Sequence, residues 1–212
     1  RELRASLLAG TEEGVTLAVL SAGPGEGKSA LAALLAESCA RLGRRTVLVD
    51  ADLRAPAQAR RFGLSGEADF GALLEGRATL DEVLWEAPES GLFLLPAQAA
   101  PARRAEALAG PALGDALAAL RARFEVVVLD GPPLLAVADA RHLAEAAERT
   151  VLAHRWARTP RAELRAALAA MGGARGRAAG VALVGTPPAR DPRPGRDGRG
   201  GRYGRFAEYF EE

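Results

Sequence analysis

The amino-acid sequence predicts an α/β fold, a doubly wound and mostly parallel sheet flanked by helices. Two observations favour this class: short apolar runs that do not alternate, and segments of helical periodicity between them. Strands that helices cover on both faces have nearly continuous apolar sequences. The predicted strands are residues 16–20, 46–49, 92–95, 126–129, 151–153 and 181–184. In such a sheet, ligands bind beyond the carboxyl ends of the strands.

Apolar residues at helical spacing predict the intervening helices. They are Leu31, Leu34, Leu35, Cys39 and Leu42, then Leu113, Leu117 and Leu120, and finally Leu164, Leu168 and Met171. A further helical insertion is predicted at Phe70, Leu73, Leu74, Leu80, Val83 and Leu84. A chain of 212 residues that is 49% hydrophobic can bury one substantial core. We expect one domain over residues 1–188, and a flexible tail over 189–212 whose Pro, Gly and charged residues cannot support a packed core.

The composition excludes several classes of function. A formal net charge of +1 gives no general attraction to nucleic acid. The single cysteine, Cys39, excludes an internal disulfide and fits a reducing compartment. His142 and His154 show no metal-ligand spacing. No signal peptide or apolar stretch of membrane-spanning length is visible, so we expect the chain to be soluble as given.

Lys28 is the only lysine in the chain, although 28 residues are Lys or Arg. It lies in Ala22-Gly-Pro-Gly-Glu-Gly-Lys-Ser29, directly after the first predicted strand. This segment has the A/G-x-x-x-x-G-K-S/T pattern of a P-loop, in which a compact ammonium contacts the β and γ phosphates where a broad guanidinium does not fit. The sequence therefore predicts the P-loop NTPase fold.

Each position of the P-loop has an expected role. Glycine can take positive φ at little cost, which lets successive backbone N–H groups face phosphate oxygens. The Ser29 hydroxyl is a candidate Mg²⁺ ligand at the start of the next helix. The predicted nucleotide-binding residues are Gly23, Pro24, Gly25, Glu26, Gly27, Lys28, Ser29 and Ala30.

Three aspartates follow predicted strands at the edge where the P-loop lies. Asp50 and Asp52 end the second strand, and Asp130 ends the fourth. Mg²⁺ keeps several waters and takes few protein carboxylates, so an acid at a strand end can hold it through the water shell. We expect Ser29, Asp50 and Asp130 to position the metal.

Three segments resemble the Walker A, A′ and B motifs of bacterial tyrosine kinases, the cytoplasmic kinases of capsule and exopolysaccharide export. They are residues 22–29, 48–56 and 128–133, the last followed by Asp139-Ala140. Their order and spacing agree with the family over most of residues 1–190. Arg1 and Arg4 also resemble the two arginines of the family's E-x-x-R-x-x-R oligomerisation helix, so residues 1–14 are a candidate for that helix.

The resemblance implies a protein-tyrosine kinase that uses ATP and Mg²⁺. Lys28 and the backbone of residues 25–29 would hold the phosphates, and Asp52 would accept the proton of an incoming tyrosine hydroxyl. Arg54 would either bind phosphate or pair with a neighbouring acid. The implied acceptors are tyrosines of a neighbouring subunit's tail. Both tyrosines of the chain, Tyr203 and Tyr209, lie in the predicted tail, where they could instead anchor it to the domain surface.

The resemblance further implies a homo-oligomer, possibly a ring, at the inner face of the membrane. The implied partner is a membrane-embedded polysaccharide co-polymerase that activates the kinase and is either fused or separate. Two departures from the family stand out: only two tail tyrosines, and Val184 where relatives carry an asparagine that contacts adenine. An apolar side chain cannot make that amide contact, which puts adenine specificity in doubt.

Two other functions fit the same fold. An ATPase switch of the partitioning or division-site type carries an additional lysine early in the P-loop, and Gly23 occupies that position here. A non-catalytic regulator of polysaccharide export would bind nucleotide without transferring phosphate. The small number of tail tyrosines is the best support for this third reading.

Overall fold

The computed structural model describes residues 2–11, 14–64, 69–88, 90–99 and 106–186 of the chain. Within this part, seven strands form one sheet in the order β3-β4-β2-β5-β1-β6-β7. All neighbours are parallel except β3, which runs antiparallel to β4 at one edge. The strands are β1 (Val15–Ser21), β2 (Thr46–Asp50), β3 (Trp85–Ala87), β4 (Leu92–Leu95), β5 (Val126–Pro133), β6 (Arg149–Arg155) and β7 (Ala178–Val184).

The predicted α/β class and all six predicted strands are confirmed. The sequence did not predict β3, because three residues are too few to show a strand pattern. The described α-helices are α1 (Glu2–Leu8), α2 (Lys28–Ala40), α3 (Gln58–Arg61), α4 (Phe70–Leu74), α5 (Leu80–Val83), α6 (Pro111–Arg123), α7 (Asp139–Ala146) and α8 (Arg161–Ala170). Two 3₁₀ helices, Glu106–Ala109 and Gly172–Arg177, complete the regular structure of this part. The predicted helical insertion is confirmed as α4 and α5.

Helices cover both faces of the central sheet. On one face, α1 and α2 pack on side chains such as Leu48 and Val128. On the other face, α6 packs on Val47 and Val127, and α7 and α8 pack near Leu152. Successive side chains of β2 and β5 thus point to opposite cores, which explains why their sequences do not alternate.

Two details of the predicted core are wrong. Helical periodicity assigns Leu34 and Leu42 to the apolar stripe of α2, but they are 65% and 59% exposed. Leu42 lies beyond the last residue of the helix. The apolar run of β7 predicts a strand covered on both faces, whereas Val181 and Leu183 are 40% and 50% exposed because β7 is an edge strand of the described sheet.

Helix α1 lies against the domain. Leu7 is buried in the same core as α2, and the Arg4 guanidinium donates to the carbonyl and the hydroxyl of Ser38 in α2. The oligomerisation role predicted for residues 1–14 stays a prediction, and Arg1 lies outside the described residues. None of the helices described here has the length and apolarity needed to cross a bilayer.

Candidate functional site

The P-loop connects the buried strand β1 to helix α2. Gly25 and Gly27 have φ angles of 75° and 88°, in the left-handed region that favours glycine. A Cβ on Gly27 would also lie 2.7 Å from Cγ1 of Val184. Gly23, the first glycine of the loop, does not have a positive φ.

Hydrogen bonds inside the loop fix its shape. The Gly23 N–H donates to Oε1 of Glu26 at 2.6 Å, and the Ser21 hydroxyl donates to the Gly23 carbonyl at 2.7 Å. Glu26 is only 3% exposed, and its Oε2 lies 3.8 Å from Nδ1 of His154. The side chain of Glu26 is therefore turned into the protein, so its predicted nucleotide contact can come only from its backbone.

Lys28 faces two of the predicted aspartates. Its Nζ lies 2.9 Å from Oδ2 of Asp52 and 4.0 Å from Oδ1 of Asp130, and 3.3 Å from the Ser29 hydroxyl. The lysine begins α2 directly after Gly27, and Ala30 continues that helix. The structure thus brings the P-loop cation to the carboxyl ends of β2 and β5, as the sequence predicts.

The carboxylates outnumber the cation. Asp50 and Asp130 are fully buried and paired in register across β2 and β5, and Asp52 is 3% exposed. Burial raises the pKa of Asp50 to about 7, with a further rise from the charge of Asp130. Burial also raises the pKa of Asp130, against the opposing effect of Lys28. Two adjacent buried acids resist being ionised together, and a bound cation would relieve this repulsion.

The described residues fit a hydrated magnesium ion. Oδ1 of Asp130 is buried and has no hydrogen-bond partner there, so an acceptor is left for a metal or its water. Oδ2 of Asp50 is already used, since it accepts from the backbone N–H groups of Ala57 and Gln58 at 2.8 Å each. Within the described ranges, no three His, Cys, Asp or Glu residues are grouped to enclose a metal. This donor set suits Mg²⁺, which keeps most of its waters.

Arg54 pairs with an acid in this structure. Its Nε and one terminal nitrogen donate to Oδ2 of Asp139 at 3.1 and 2.9 Å. Asp139 begins helix α7, and Arg54 lines a cleft of about 380 Å³ together with Lys28 and Asp52. The wall of the cleft is mainly apolar, and its remaining residues are Pro24, Gly25, Ala55, Pro132, Pro133, Ala136 and Val137.

Sequence reasoning missed Gln58. This side chain is 1% exposed, and its Nε2 donates to Oδ2 of Asp130 at 2.7 Å and to the Ser29 carbonyl at 3.0 Å. A lone amide in a segment of alanines and arginines gives no motif, and only its position shortly after Asp50 could have drawn attention to it.

Two further predictions concern Val184 and the tail tyrosines. Val184 ends β7 beside Gly27, so an apolar side chain packs on the P-loop where the resemblance implies an amide. The predicted acceptors Tyr203 and Tyr209 lie outside the described residues, as does the whole predicted tail.

Comparison with known proteins gives concordant matches. Residues 17–175 match the family model of the CobQ/CobB/MinD/ParA nucleotide binding domain. The tyrosine-protein kinase YwqD of Bacillus subtilis is 34% identical over 134 residues, which cover 63% of this chain and 56% of that protein. The succinoglycan biosynthesis transport protein ExoP of Rhizobium meliloti is 35% identical over 157 residues, which cover 73% of this chain and 20% of ExoP.

A solved structure matches over nearly its whole length. The VpsO kinase domain superposes with a TM-score of 0.79 at 33% identity, covering 86% of this chain and 90% of that one. By contrast, the chain spans about half of YwqD and a fifth of ExoP. The chain belongs to the CobQ/CobB/MinD/ParA nucleotide-binding family and, within it, to the group of bacterial tyrosine-kinase domains.

Proposed function

We propose that this chain is an ATP-dependent protein-tyrosine kinase domain that acts in capsule or exopolysaccharide synthesis and export. The observation that carries the proposal is the cleft beside Lys28 and Asp52, whose apolar wall suits an aromatic ring and whose acid can meet the ring's hydroxyl. The similarity to YwqD, ExoP and the VpsO kinase domain supports the same reading.

The P-loop residues would bind the ATP phosphates through backbone N–H groups, with Gly25 and Gly27 supplying the turns. Ser29, Asp50 and Asp130 would hold Mg²⁺, which neutralises phosphate charge when bound. Lys28 now pairs with Asp52, and a phosphate would compete for that ammonium. Lys28 would then contact phosphate and leave Asp52 free.

Phosphoryl transfer asks mainly for positioning and charge neutralisation. The tyrosine oxygen forms a bond to the γ phosphorus, the bond from that phosphorus to the β–γ bridging oxygen breaks, and ADP leaves. Asp52 would accept the phenolic proton as the catalytic base. Arg54 would keep Asp139 paired at the border of the cleft, with phosphate contact as its second role.

We propose that Tyr203 and Tyr209 are the acceptors and that a neighbouring copy of the chain phosphorylates them. The chain would work as a homo-oligomer, held at the inner face of the membrane by a membrane-embedded polysaccharide co-polymerase, fused or separate. The name of ExoP, a transport protein of succinoglycan biosynthesis, supports this setting. The dimeric ATPase switch is disfavoured, because its additional early P-loop lysine is replaced by Gly23 in this chain.

The test is incubation with γ-labelled ATP and Mg²⁺, followed by mapping of the labelled residues. We expect label on Tyr203 and Tyr209. In Lys28→Met the rate of labelling should fall by at least about 100-fold, because phosphate binding depends on that ammonium. The double variant Tyr203→Phe/Tyr209→Phe should keep nucleotide affinity and lose the label. Phosphate release without tyrosine label would favour the ATPase switch, and neither label nor release would favour a nucleotide-binding regulator.

A further inference from the structure

Gln58 connects the three segments that form the acidic crevice. It begins helix α3, and its backbone N–H donates to Oδ2 of Asp50 at 2.8 Å. Its side-chain Nε2 donates to Oδ2 of Asp130 at 2.7 Å and to the Ser29 carbonyl at 3.0 Å. One residue thus contacts all three residues proposed to hold Mg²⁺.

The orientation of the Gln58 amide is set by its partners. A primary amide has two N–H donors and one carbonyl oxygen, and both groups that face the amide nitrogen here are oxygens. The nitrogen therefore uses both hydrogens on Asp130 and Ser29. Rotating the amide by 180° would place its oxygen against a carboxylate and a carbonyl, which is repulsive.

Two oxygens of this network accept no hydrogen bond from the described residues. They are Oε1 of Gln58 and Oδ1 of Asp130, and both are buried. Lys28 Nζ lies 4.0 Å from Oδ1 of Asp130, within ion-pair range but too far to donate a hydrogen bond. Buried polar groups are nearly always hydrogen-bonded, so two such oxygens point to a further donor or cation. The water shell of a magnesium ion supplies donors, while the ion itself attracts the carboxylate.

We propose that Gln58 is a positioning residue for the magnesium ion of the bound nucleotide. Its Nε2 holds Oδ2 of Asp130, which leaves Oδ1 for the metal side, and its Oε1 accepts a hydrogen bond from the water shell of the ion. The inference rests on the proposed Mg²⁺–nucleotide site and needs no transfer to tyrosine. Residues that orient metal ligands through hydrogen bonds affect metal affinity strongly although they do not touch the metal.

The experiment measures the affinity for fluorescent mant-ADP during a Mg²⁺ titration and in EDTA. Gln58→Met keeps the length of the side chain and removes both amide functions. We expect it to raise the Mg²⁺ concentration needed for half-maximal tightening by about tenfold or more. The affinity for mant-ADP in EDTA should change much less, because Lys28 and the N–H groups of the P-loop keep their contacts and Gln58 bonds only the carbonyl of Ser29.

A matched control separates this role from a general loss of stability. Asp69 is also buried, at 2% exposure, and it accepts hydrogen bonds from the backbone N–H groups of Ala72 and Gln98. Asp69→Ala should lower the melting temperature and leave the Mg²⁺ requirement unchanged. If Gln58→Met weakens mant-ADP binding equally with Mg²⁺ and in EDTA, or leaves the Mg²⁺ requirement unchanged, the inference is overturned.

A second measurement needs no variant and covers the case in which Gln58→Met does not fold. The side-chain NH₂ resonances of Gln58, assigned by NMR, should shift when Mg²⁺ is added to the ADP complex and should not shift when ADP is added in EDTA. Unmoved resonances would contradict the proposal. A Mg²⁺ effect that depends on Gln58, found together with absent tyrosine labelling, would refute the kinase and support the inference.

Discussion

The two ends of the central sheet use charge in opposite ways. At the amino ends of the strands, Arg121 donates to the Thr16 hydroxyl at 2.9 Å and pairs with Glu148 at 3.1 Å, and Glu148 accepts from the Thr16 N–H. These charges are half-exposed and have partners of opposite sign. At the carboxyl ends, Lys28 is the ion-pair partner of Asp52 and Asp130, Asp50 is buried beside Asp130, and Oδ1 of Asp130 accepts no hydrogen bond from the described residues.

The difference in charge pairing indicates that the amino-end network serves stability and the carboxyl-end cluster serves ligand binding. The amino-end network satisfies its own groups, so it stabilises the fold and has nothing left for a ligand. The carboxyl-end cluster is left with excess negative charge and raised pKa values, a condition that stability alone does not favour. A substitution confined to one end should therefore change a different observable from a substitution at the other.

The largest effect is expected for Asp130→Asn. Asparagine keeps the size of the side chain and an oxygen for the Gln58 hydrogen bond, but it removes the charge. Phosphoryl transfer should fall by about 100-fold or more, since metal neutralisation contributes several kcal/mol to such reactions. The melting temperature of the nucleotide-free protein should hold or rise, because a buried like-charge pair disappears. Labelling assays and calorimetry test both parts.

The control for this variant is Asp115→Asn, which changes an exposed carboxylate on α6 and should alter neither quantity. A fall of several degrees in the melting temperature of Asp130→Asn would mean that the carboxylate is mainly structural. The proposed contrast between the two ends of the sheet would then be wrong.

The next effect is a pH dependence caused by Asp50. Its pKa of about 7 in the fold lies above the ordinary value, so the folded state keeps a proton that the unfolded chain releases. The free energy of unfolding of the nucleotide-free protein should therefore fall as pH rises from about 4 to about 7. Asp50→Asn should reduce this slope without abolishing it, because the pKa of Asp130 is also raised and Asp130 remains in the variant. Urea denaturation at a series of pH values measures the slope, and equal slopes in both proteins would refute the assignment.

The smallest effect is expected at the amino end. Arg149 donates to the carbonyls of Ser6, Leu7 and Ala9, and so holds the end of α1 on the domain. Arg149→Met should speed amide hydrogen exchange in α1 by about tenfold, as a loss of one to two net hydrogen bonds implies. Nucleotide affinity should not change.

Its neighbour Glu148 provides the matched control. Glu148→Gln keeps an acceptor for the Thr16 N–H and removes only a half-exposed ion pair, which is worth about 1 kcal/mol or less. Exchange in α1 should stay at the wild-type rate in this variant. Altered mant-ADP affinity in either variant would show that the two ends are coupled.

Periodicity and motif were enough to predict the parallel strands, the P-loop and the convergence of Asp50, Asp52 and Asp130 on one crevice beside the P-loop. All of these depend on where the apolar runs end, which is visible in the sequence, although β5 itself continues past Asp130 to Pro133. The exposure of β7 was not predictable, since an apolar run has the same pattern at an edge as in the centre of a sheet. Leu34 is a comparable case on a helix: its spacing places it on the apolar stripe of α2, but its side chain is exposed.

Contacts between distant segments were also beyond prediction. Gln58 meets Asp130 across 72 positions, and Arg54 meets Asp139 across 85. No spacing in the sequence indicates which distant residues will meet, so the sequence could not decide whether Arg54 binds phosphate or pairs with an acid. The inward turn of Glu26 was missed for a related reason: a P-loop pattern specifies the backbone at that position and leaves the side chain free to pack.

The hydrogen bonds of Glu26 and Ser21 with Gly23 have a consequence for the entropy of nucleotide binding. They order the loop when the protein folds, so a phosphate group meets amides that are already arranged and binding has little conformational freedom left to remove. Loosening this restraint would leave the direct phosphate contacts intact and still weaken binding, through a more unfavourable entropy measurable by calorimetry.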